Sequence, residues 1–399
     1  MSRPLDGLIV ADFSRVLAGP LCTMTLADLG ATVVKVERPM VGDDTRAWGP
    51  PWSSSSADSA TYFESVNRSK LSVTLDLFDP DDRDAAIELA RRADVVVENF
   101  KPGDLDRHGL GYEQVAASNP RVVYCSVTGF GRDKGAARLG YDFVVQALGG
   151  LMSITGDPEG DPTKAGVAVV DVLAGKDATI GILAALADRS RTGRGCRVEV
   201  NLLSSLLASL VNQAQGFLET GKAPGRMGNQ HPSIAPYETL RCRGGLIVVA
   251  CGNDGQFLRL ATVLGQPQLA EDERFSTNGA RVGNRTALVA ALQPLLATAD
   301  PATWEVVLNA AGIPAGQVGD IADGFALAEQ LGLDPSLSCG PGRAAQVRHP
   351  VTYSNDLVRP PEPPPALGAH QSAIRAWLTD RDESTVPPTF TPHAEEILL

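Results

Sequence analysis

The N-terminal part of the chain alternates short apolar segments with helical patterns, and this alternation constrains the fold more than any other feature. Residues 7–13 and 31–36 are apolar segments of strand length, and a helical pattern lies between them. That pattern has Pro20 near its start and Gly30 just past its end, the positions that these residues favour at helix termini. The segment therefore predicts a β-α-β unit with parallel strands.

The alternation continues further along the chain. A helical pattern over 81–92 precedes a strand candidate at 95–97, and another strand candidate follows at 122–127. Later patterns predict a helix from 143 to 148, a short strand over 197–201 and a helix over 202–219. We therefore predict an α/β fold with a Rossmann-like parallel sheet that binds its ligands at the carboxyl ends of the strands.

A chain of 399 residues is longer than one ordinary hydrophobic core supports, which indicates two domains. The composition changes at 221–225, a Gly- and Pro-containing segment typical of a linker. A strand pattern and helical patterns follow it, at 246–251, 256–264, 285–297 and 302–311. We predict that 1–220 belong to a large domain and that 221–320 form a smaller α+β domain.

Composition and motifs exclude several classes of function. The net charge of −12 argues against nucleic acid as a partner. No apolar run reaches the ~18 residues of a membrane span, so we expect no membrane partner. The glycine fingerprint of nicotinamide-binding folds is absent between 13 and 29, where Gly19 stands alone, so no nicotinamide is expected. Neither a Walker A motif nor the nucleophile elbow of α/β hydrolases occurs.

Cysteine and histidine usage bears on compartment and metals. The six cysteines are scattered without a CxxC pair, which indicates a reducing cytoplasm and neither a disulfide framework nor a zinc site. The N-terminal segment has no signal-peptide core. The five histidines show no metal-ligand spacing, so we expect a cytoplasmic protein without a metal.

Asp171 stands where an apolar run, 167–170, meets a helical pattern. At such a junction an Asp is most often a helix N-cap, which accepts hydrogen bonds from the first free N–H groups. The alternative is a nucleophilic carboxylate, kept ionised by those N–H groups and by the positive end of the helix. Position alone favours the cap, although one residue can fill both roles.

Basic residues accumulate at the predicted carboxyl ends of the strands. Each one alone is most often a solvated surface charge. Together, at loops that share one edge of one sheet, they favour an anion site that suits a nucleotide with several phosphates. They are Arg15, Arg38, Arg68, Lys70, Lys101 and Arg107.

A series of short motifs, each weak alone, occurs in a fixed order over most of the chain. They lie at 15–20, 27–31, 34–39, 67–70, 75–77, 94–100, 102–103, 126–131, 140–142, 146–150, 171, 192–195, 228–232 and 274–275. In this ordered set the chain resembles the family III CoA-transferases, which include formyl-CoA transferase and carnitine CoA-transferase. The resemblance implies that CoA moves from a donor acyl-CoA to an acceptor carboxylic acid, with acyl-CoA as a substrate and neither ATP nor a metal.

The resemblance also implies the site and the assembly. Asp171 would carry the acyl group, through an aspartyl mixed anhydride and an aspartyl-CoA thioester. Members are typically homodimers whose chains interlock like linked rings, with 321–399 returning to complete the large domain. The positions implied to bind CoA are Val16, Leu17, Ala18, Arg38, Val66, Asn67, Arg68, Ser69, Lys70, Asn99, Phe100, Lys101, Arg107, Tyr141 and Asp142.

The chain departs from the family pattern at two places. Some members have glutamine where this chain has Leu17, and a hydrocarbon there removes a hydrogen-bond donor, so oxalate is expected to be a poor substrate. The four-glycine run that covers the nucleophile in formyl-transferring members is absent. Backbone N–H groups near Gly149, Gly150 or another glycine loop are candidates for stabilising the oxyanions.

Two alternatives stay open. An α-methylacyl-CoA racemase would share the fold and CoA site, but it needs a histidine before the aspartate where this chain has Tyr141, and no histidine lies between His108 and His231. A non-catalytic CoA-binding protein would be indicated by loss of the nucleophile, whereas Asp171 is present.

Overall fold

The computed structural model describes residues 3–54, 59–380, 382 and 387–388. Within them the chain forms two compact units. The first unit takes its residues from Met1–Gly149, Ala165–Thr220 and Asp334–Leu399, and the second from Gly150–Lys164 and Gly221–Leu333. The second unit thus differs from the predicted small domain, 221–320, by the added segment before Ala165 and by its later end.

Six parallel strands form the sheet of the first unit in the order β3-β2-β1-β4-β5-β6. This confirms the predicted parallel sheet. The strands are β1 Ile9–Asp12, β2 Thr32–Glu37, β3 Lys70–Thr74, β4 Val95–Glu98, β5 Val123–Thr128 and β6 Arg197–Asn201. The remaining strands are β7 Tyr237–Cys242, β8 Gly245–Ala250, β9 Ala315–Gln317, β10 Ser336–Leu337 and β11 Gln346–Val347.

The helices, in chain order, connect and cover these strands. They are α1 Ala18–Asp28, α2 Thr61–Glu64, α3 Pro80–Arg92, α4 Tyr112–Ser118, α5 Asp142–Leu148, α6 Leu151–Ile154, α7 Val169–Thr192, α8 Leu202–Ser209, α9 Val211–Thr220, α10 Asp254–Val263, α11 Asn278–Gly283, α12 Arg285–Leu296, α13 Pro301–Ala310, α14 Ile321–Gln330 and α15 Gln371–Thr379. No helix in the described ranges is long and apolar enough to cross a membrane.

The core of the first unit lies on the sheet. Strands buried on both faces read as short apolar runs, as in β4, where Val95, Val96 and Val97 are all buried. Helix α15 adds Ile374 and Trp377 to the same core, so the C-terminal segment packs into this unit.

The second unit is of the α+β type. Strands β7, β8 and β9 form an antiparallel sheet, and helices α10, α12 and α13 pack on it around Leu260, Leu292 and Leu308. Its core is separate from that of the first unit, as expected for a chain that exceeds the size of one core.

Two predictions of local structure need correction. The apolar pattern does not predict strand β3, because the polar residues Lys70 and Ser72 interrupt it. Both side chains are nevertheless buried. The helix predicted over 202–219 is two helices, α8 and α9, because the chain turns at Val211, whose φ is +41°.

Candidate active site

The strand order reverses between β1 and β4, so the loops that leave these two strands diverge and open a crevice at the carboxyl edge of the sheet. The side chain of Asn99 ties the two loops together. Its amide donates to the Arg15 carbonyl at 2.7 Å, and its oxygen accepts from the Arg15 N–H at 2.9 Å. The crevice is thus built on a fixed frame.

Two cavities of about 440 Å³ and 360 Å³ open at this edge. The larger, here called the β2–β3 cavity, is lined by residues that follow β1 to β4: Phe13, Arg15, Arg38, Pro39, Val41, Leu75, Leu77, Phe78, Phe100, Arg107 and His108 among others. The smaller, here called the Asp171 cavity, is lined by residues 15–18, by Asp44, by parts of 99–104 and 127–141, and by Asp171 and Leu202. Arg15, Phe100 and Asp104 line both, so the cavities are neighbours.

The β2–β3 cavity combines apolar walls with cations. Phe78 is 83% exposed and meets the His108 ring edge-to-face at 5.1 Å. Arg38 and Arg107 also line this cavity, where Arg38 pairs with Asp44 and Arg107 with Asp104, and the Arg15 guanidinium lies 5.0 Å from the centre of the Phe100 ring. Flat apolar side chains beside arginines suit a phosphorylated nucleotide.

Asp171 is the third residue of α7 and not its N-cap, which corrects the sequence-based prediction. The helix begins at Val169, and Ala168 supplies no capping side chain. The free N–H groups bond instead to Asp142, whose Oδ1 accepts from Val170 N at 2.7 Å and from Asp171 N at 3.3 Å. Asp142 therefore caps α7 from another helix.

The capping carboxylate is itself held by Gln146, one turn along α5. The Gln146 amide donates to Asp142 Oδ2 at 2.6 Å, while its oxygen accepts from Ala165 N at 2.9 Å. Asp142 and Gln146 are buried, and Asp142 is not among the residues that line either cavity. Its position favours holding α7 in place over contact with a ligand.

The electrostatics of Asp171 also differ from the expectation. Burial, together with the neighbouring charge of Asp142, raises the pKa of Asp171 to about 7. The predicted stabilisation of the ionised form by its own cap is therefore wrong, because Asp142 occupies the free N–H groups and adds a like charge. A carboxyl group that titrates near neutrality in a cavity is typical of functional sites.

Helix α7 approaches α1 closely one turn after Asp171. A Cβ on Gly175 would lie 2.7 Å from the Ala18 carbonyl oxygen, so only glycine allows this approach without a backbone shift. Residues four apart share a helix face, which brings Asp171 towards the start of α1. Leu17, the N-cap of α1, offers no capping side chain, and it lines the Asp171 cavity with Ala18.

The loop before α1 is held in a strained conformation. Val16 is β-branched yet has a φ of +72°, a region that such residues rarely occupy. Its N–H lies 3.3 Å from both oxygens of Asp43, and Asp43 forms a buried ion pair with Lys35 at 2.9 Å. This ion pair therefore supports the wall of the Asp171 cavity.

The segment 66–70 does not lie where the sequence predicted. It leads into β3, whose first residue is Lys70, at the amino end of that strand, and Val66, Asn67, Arg68, Ser69 and Lys70 are all buried. Both of its cations are paired with aspartates. The Arg68 guanidinium bonds both oxygens of Asp28 at 2.9 and 2.6 Å, and Lys70 Nζ lies 3.1 Å from Asp12.

The other predicted basic residues, Arg15, Arg38, Lys101 and Arg107, do follow strands at the carboxyl edge and line the cavities. Sequence reasoning missed residues 75–78, which follow β3 and line the β2–β3 cavity. Continuing the strand–helix alternation through 70–74 would have located them. Gly149 and Gly150 line neither cavity.

Within the described ranges, no group of three or more His, Cys, Asp or Glu side chains is arranged to hold a metal ion. Val16, Leu17, Ala18, Asn99, Phe100, Lys101 and Tyr141 line the Asp171 cavity. The structure thus brings together a carboxyl group, an open helix start and a nucleotide-sized crevice.

Comparison with known proteins gives consistent matches over nearly the whole chain. Residues 5–371 match CoA-transferase family III. The chain is 41% identical over 401 residues to the succinate–glutarate CoA-transferase of Agrobacterium fabrum, covering 98% of each chain. It is 43% identical over 322 residues to the acetyl-CoA:oxalate CoA-transferase of Acetobacter aceti, covering 80% of this chain and 82% of the relative. A CaiB/BaiF family protein from Brucella suis superposes with a TM-score of 0.84 at 44% identity, over 95% of this chain and 100% of that one.

Proposed function

The chain belongs to the family III CoA-transferases, and we propose that it moves CoA between small dicarboxylic acids with Asp171 as the carrier of the acyl group. The observation that carries the proposal is the position of Asp171 in a cavity that adjoins a nucleotide-sized crevice at the switch point of the sheet. The dicarboxylates are suggested by the relative named for succinate and glutarate.

CoA would occupy both cavities. The adenosine and its phosphates fit the β2–β3 cavity, with Arg38 and Arg107 facing the phosphates and Phe78 facing the base. The pantetheine arm would pass Arg15 and Phe100, which line both cavities, and bring the thioester to Asp171. Arg68 and Lys70 are not assigned to CoA because their ion pairs are buried, whereas the ion pairs of Arg38 and Arg107 are exposed to solvent.

The reaction conserves the energy of the thioester. The Asp171 carboxylate attacks the donor thioester carbonyl, the C–S bond breaks, and a mixed anhydride and CoA thiolate form. The thiolate then attacks the Asp171 carbonyl carbon, which releases the donor acid and leaves an aspartyl-CoA thioester. The acceptor carboxylate repeats the two steps in reverse order, so no net proton or electron is exchanged.

Each addition places negative charge on a carbonyl oxygen beside Asp171. The first N–H groups of α1 point out of its uncapped start, next to Leu17 and Ala18 in the same cavity. Such groups stabilise an oxyanion without reorganisation. They replace the glycines at 149 and 150 as the proposed oxyanion site.

The racemase alternative requires a histidine to exchange a proton with the substrate. No histidine is among the residues that line the Asp171 cavity within the described part of the chain, and His108 lines the β2–β3 cavity. This arrangement supports transfer over racemisation.

The test is a transfer assay with succinyl-CoA as donor and glutarate as acceptor, followed by mass spectrometry. Asp171→Ala should abolish transfer while CoA still binds, whereas Asp177→Ala, an exposed aspartate on the same helix, should retain it. Hydroxylamine added after the donor should convert Asp171 to the hydroxamate. Turnover by Asp171→Ala at the level of the unsubstituted protein would refute the assignment.

We also propose a homodimer, interlocked as the family resemblance implies. Helices α5, α7, α8 and α9 pack in succession and expose apolar side chains that a second copy would cover: Phe143, Val144, Leu148, Ile180, Leu207, Phe217 and Leu218. The six cysteines are free, which supports work in a reducing cytoplasm.

A further inference from the structure

Three cations line the Asp171 cavity: Arg15, Lys101 and Arg138. Arg15 also lines the β2–β3 cavity, lies over Phe100 and pairs with Asp44 at 3.5 Å. Lys101 follows β4 on the loop that joins the two cavities. Arg138 is exposed and, like Lys101, lines only the Asp171 cavity, but its planar guanidinium matches both oxygens of a carboxylate, which the ammonium of Lys101 does not.

Arg138 is the one of these cations that stands on the loop after β5. The two ends of this loop approach each other closely at Gly129 and Gly140. A Cβ on Gly140 would lie 2.6 Å from the Gly129 Cα, so a side chain there would prevent this approach. Within the loop, Arg138 N bonds to the Gly135 carbonyl at 2.9 Å, and the guanidinium lies 5.8 Å from the centre of the Phe130 ring. Arg138 therefore stands on a loop whose two ends meet at Gly129 and Gly140.

The same loop runs directly into the support of the acyl carrier. Tyr141 lines the cavity, and the next residue, Asp142, accepts from the backbone N–H of Asp171 at 3.3 Å. Arg138 forms no ion pair with any described residue, although the chain as a whole carries a net charge of −12. A cation without an acid partner, in a cavity that must admit acids, is suited to a carboxylate.

We propose that Arg138 binds the distal carboxylate of a dicarboxylic substrate while the proximal carboxylate, or its thioester, meets Asp171. This inference rests on the proposed transferase function. It makes Arg138 the residue that separates dicarboxylates from monocarboxylates of the same chain length. Because donor and acceptor pass through one cavity, the same contact serves both acids.

The test compares glutarate with valerate, which has the same carbon chain without the distal carboxylate, at a fixed succinyl-CoA concentration. In Arg138→Met, the ratio of kcat/KM for glutarate to that for valerate should fall about tenfold or more, as loss of a charge-assisted hydrogen bond predicts. Any effect on the donor cancels in this ratio. Arg138→Lys should retain an intermediate preference because it keeps the charge and loses the planar fork.

Arg132→Met is the matched control. Arg132 lies on the same loop, pairs with Glu199 at 3.1 Å and lines neither cavity, so this variant should keep the selectivity ratio. An unchanged ratio in Arg138→Met would overturn the inference. So would equal losses for both acids with weaker CoA binding, which would assign Arg138 to CoA. Failure of the unsubstituted protein to transfer CoA to any acid would instead refute the proposed function.

Discussion

Two groups of aspartates in the first unit have opposite electrostatics. Beneath the loop after β1, Asp12 lies 3.1 Å from Lys70, and Asp43 lies 2.9 Å from Lys35, with all four side chains buried. At the start of α7, Asp171 and Asp142 adjoin each other, and neither forms an ion pair with a described lysine or arginine. Asp12 and Asp43 are each neutralised by a lysine, whereas Asp171 and Asp142 place two like charges side by side.

The pKa values follow from this difference. Burial alone would raise the pKa of Asp43, but the Lys35 charge and hydrogen bonds from Thr45 hold it at about 2. Burial and the Asp142 charge instead raise the pKa of Asp171 to about 7. The charged form of the same residue type is therefore favoured in one place and disfavoured in the other.

The largest effect is expected from breaking a neutralised pair. Lys70→Met leaves Asp12 buried without its lysine, which should lower the free energy of unfolding by about 3–5 kcal/mol. Chemical denaturation measures this change. The control is Arg191→Met, which breaks the exposed Arg191–Asp188 pair. It should lower the free energy of unfolding by no more than about 1 kcal/mol. Equal losses for the two variants would contradict the comparison.

The next effect concerns stability against pH, and its sign differs between the groups. Because the pKa of Asp171 is raised in the folded state, its contribution to the free energy of unfolding is full below about pH 4. This contribution is lost as pH rises through 7. Asp171→Asn should therefore stabilise the protein more at pH 8 than at pH 4. The change in the free energy of unfolding on substitution should differ between the two pH values by up to about 4 kcal/mol.

Asp43, whose pKa is lowered to about 2, shows the reverse dependence. Its stabilisation is present above about pH 4 and is lost as pH falls through 2. Denaturation curves of Asp171→Asn and Asp43→Asn across this range should diverge in opposite directions. Parallel curves would count against the separation of the two groups.

The smallest effect is expected from removing the like charge at the active site. Asp142→Asn keeps an acceptor for the α7 N–H groups and deletes one charge beside Asp171. The acid limb of the kcat/KM profile should move to lower pH by less than about one unit, because burial is the larger cause of the raised pKa. Asp177→Asn should leave that limb in place, and a shift to higher pH in Asp142→Asn would contradict the account.

The sequence by itself determined the parallel sheet and the position of Asp171 near a helix start, and it predicted the carboxyl edge as the ligand edge. These follow from local patterns, since apolar runs and helix-terminal residues act on their immediate neighbours. The placement of Arg15, Arg38, Lys101 and Arg107 was predictable for the same reason.

Only the tertiary structure decided which charges are neutralised. The cap of α7 comes from Asp142, which lies 29 residues earlier in the chain than Asp171, so no local sequence pattern predicts it. Arg68 and Lys70 read as ligand-binding cations, but their partners Asp28 and Asp12 lie 40 and 58 residues away. A carboxyl group's pKa depends on burial and on charges brought close by folding. For that reason the sequence located Asp171, whereas the fold set its charge.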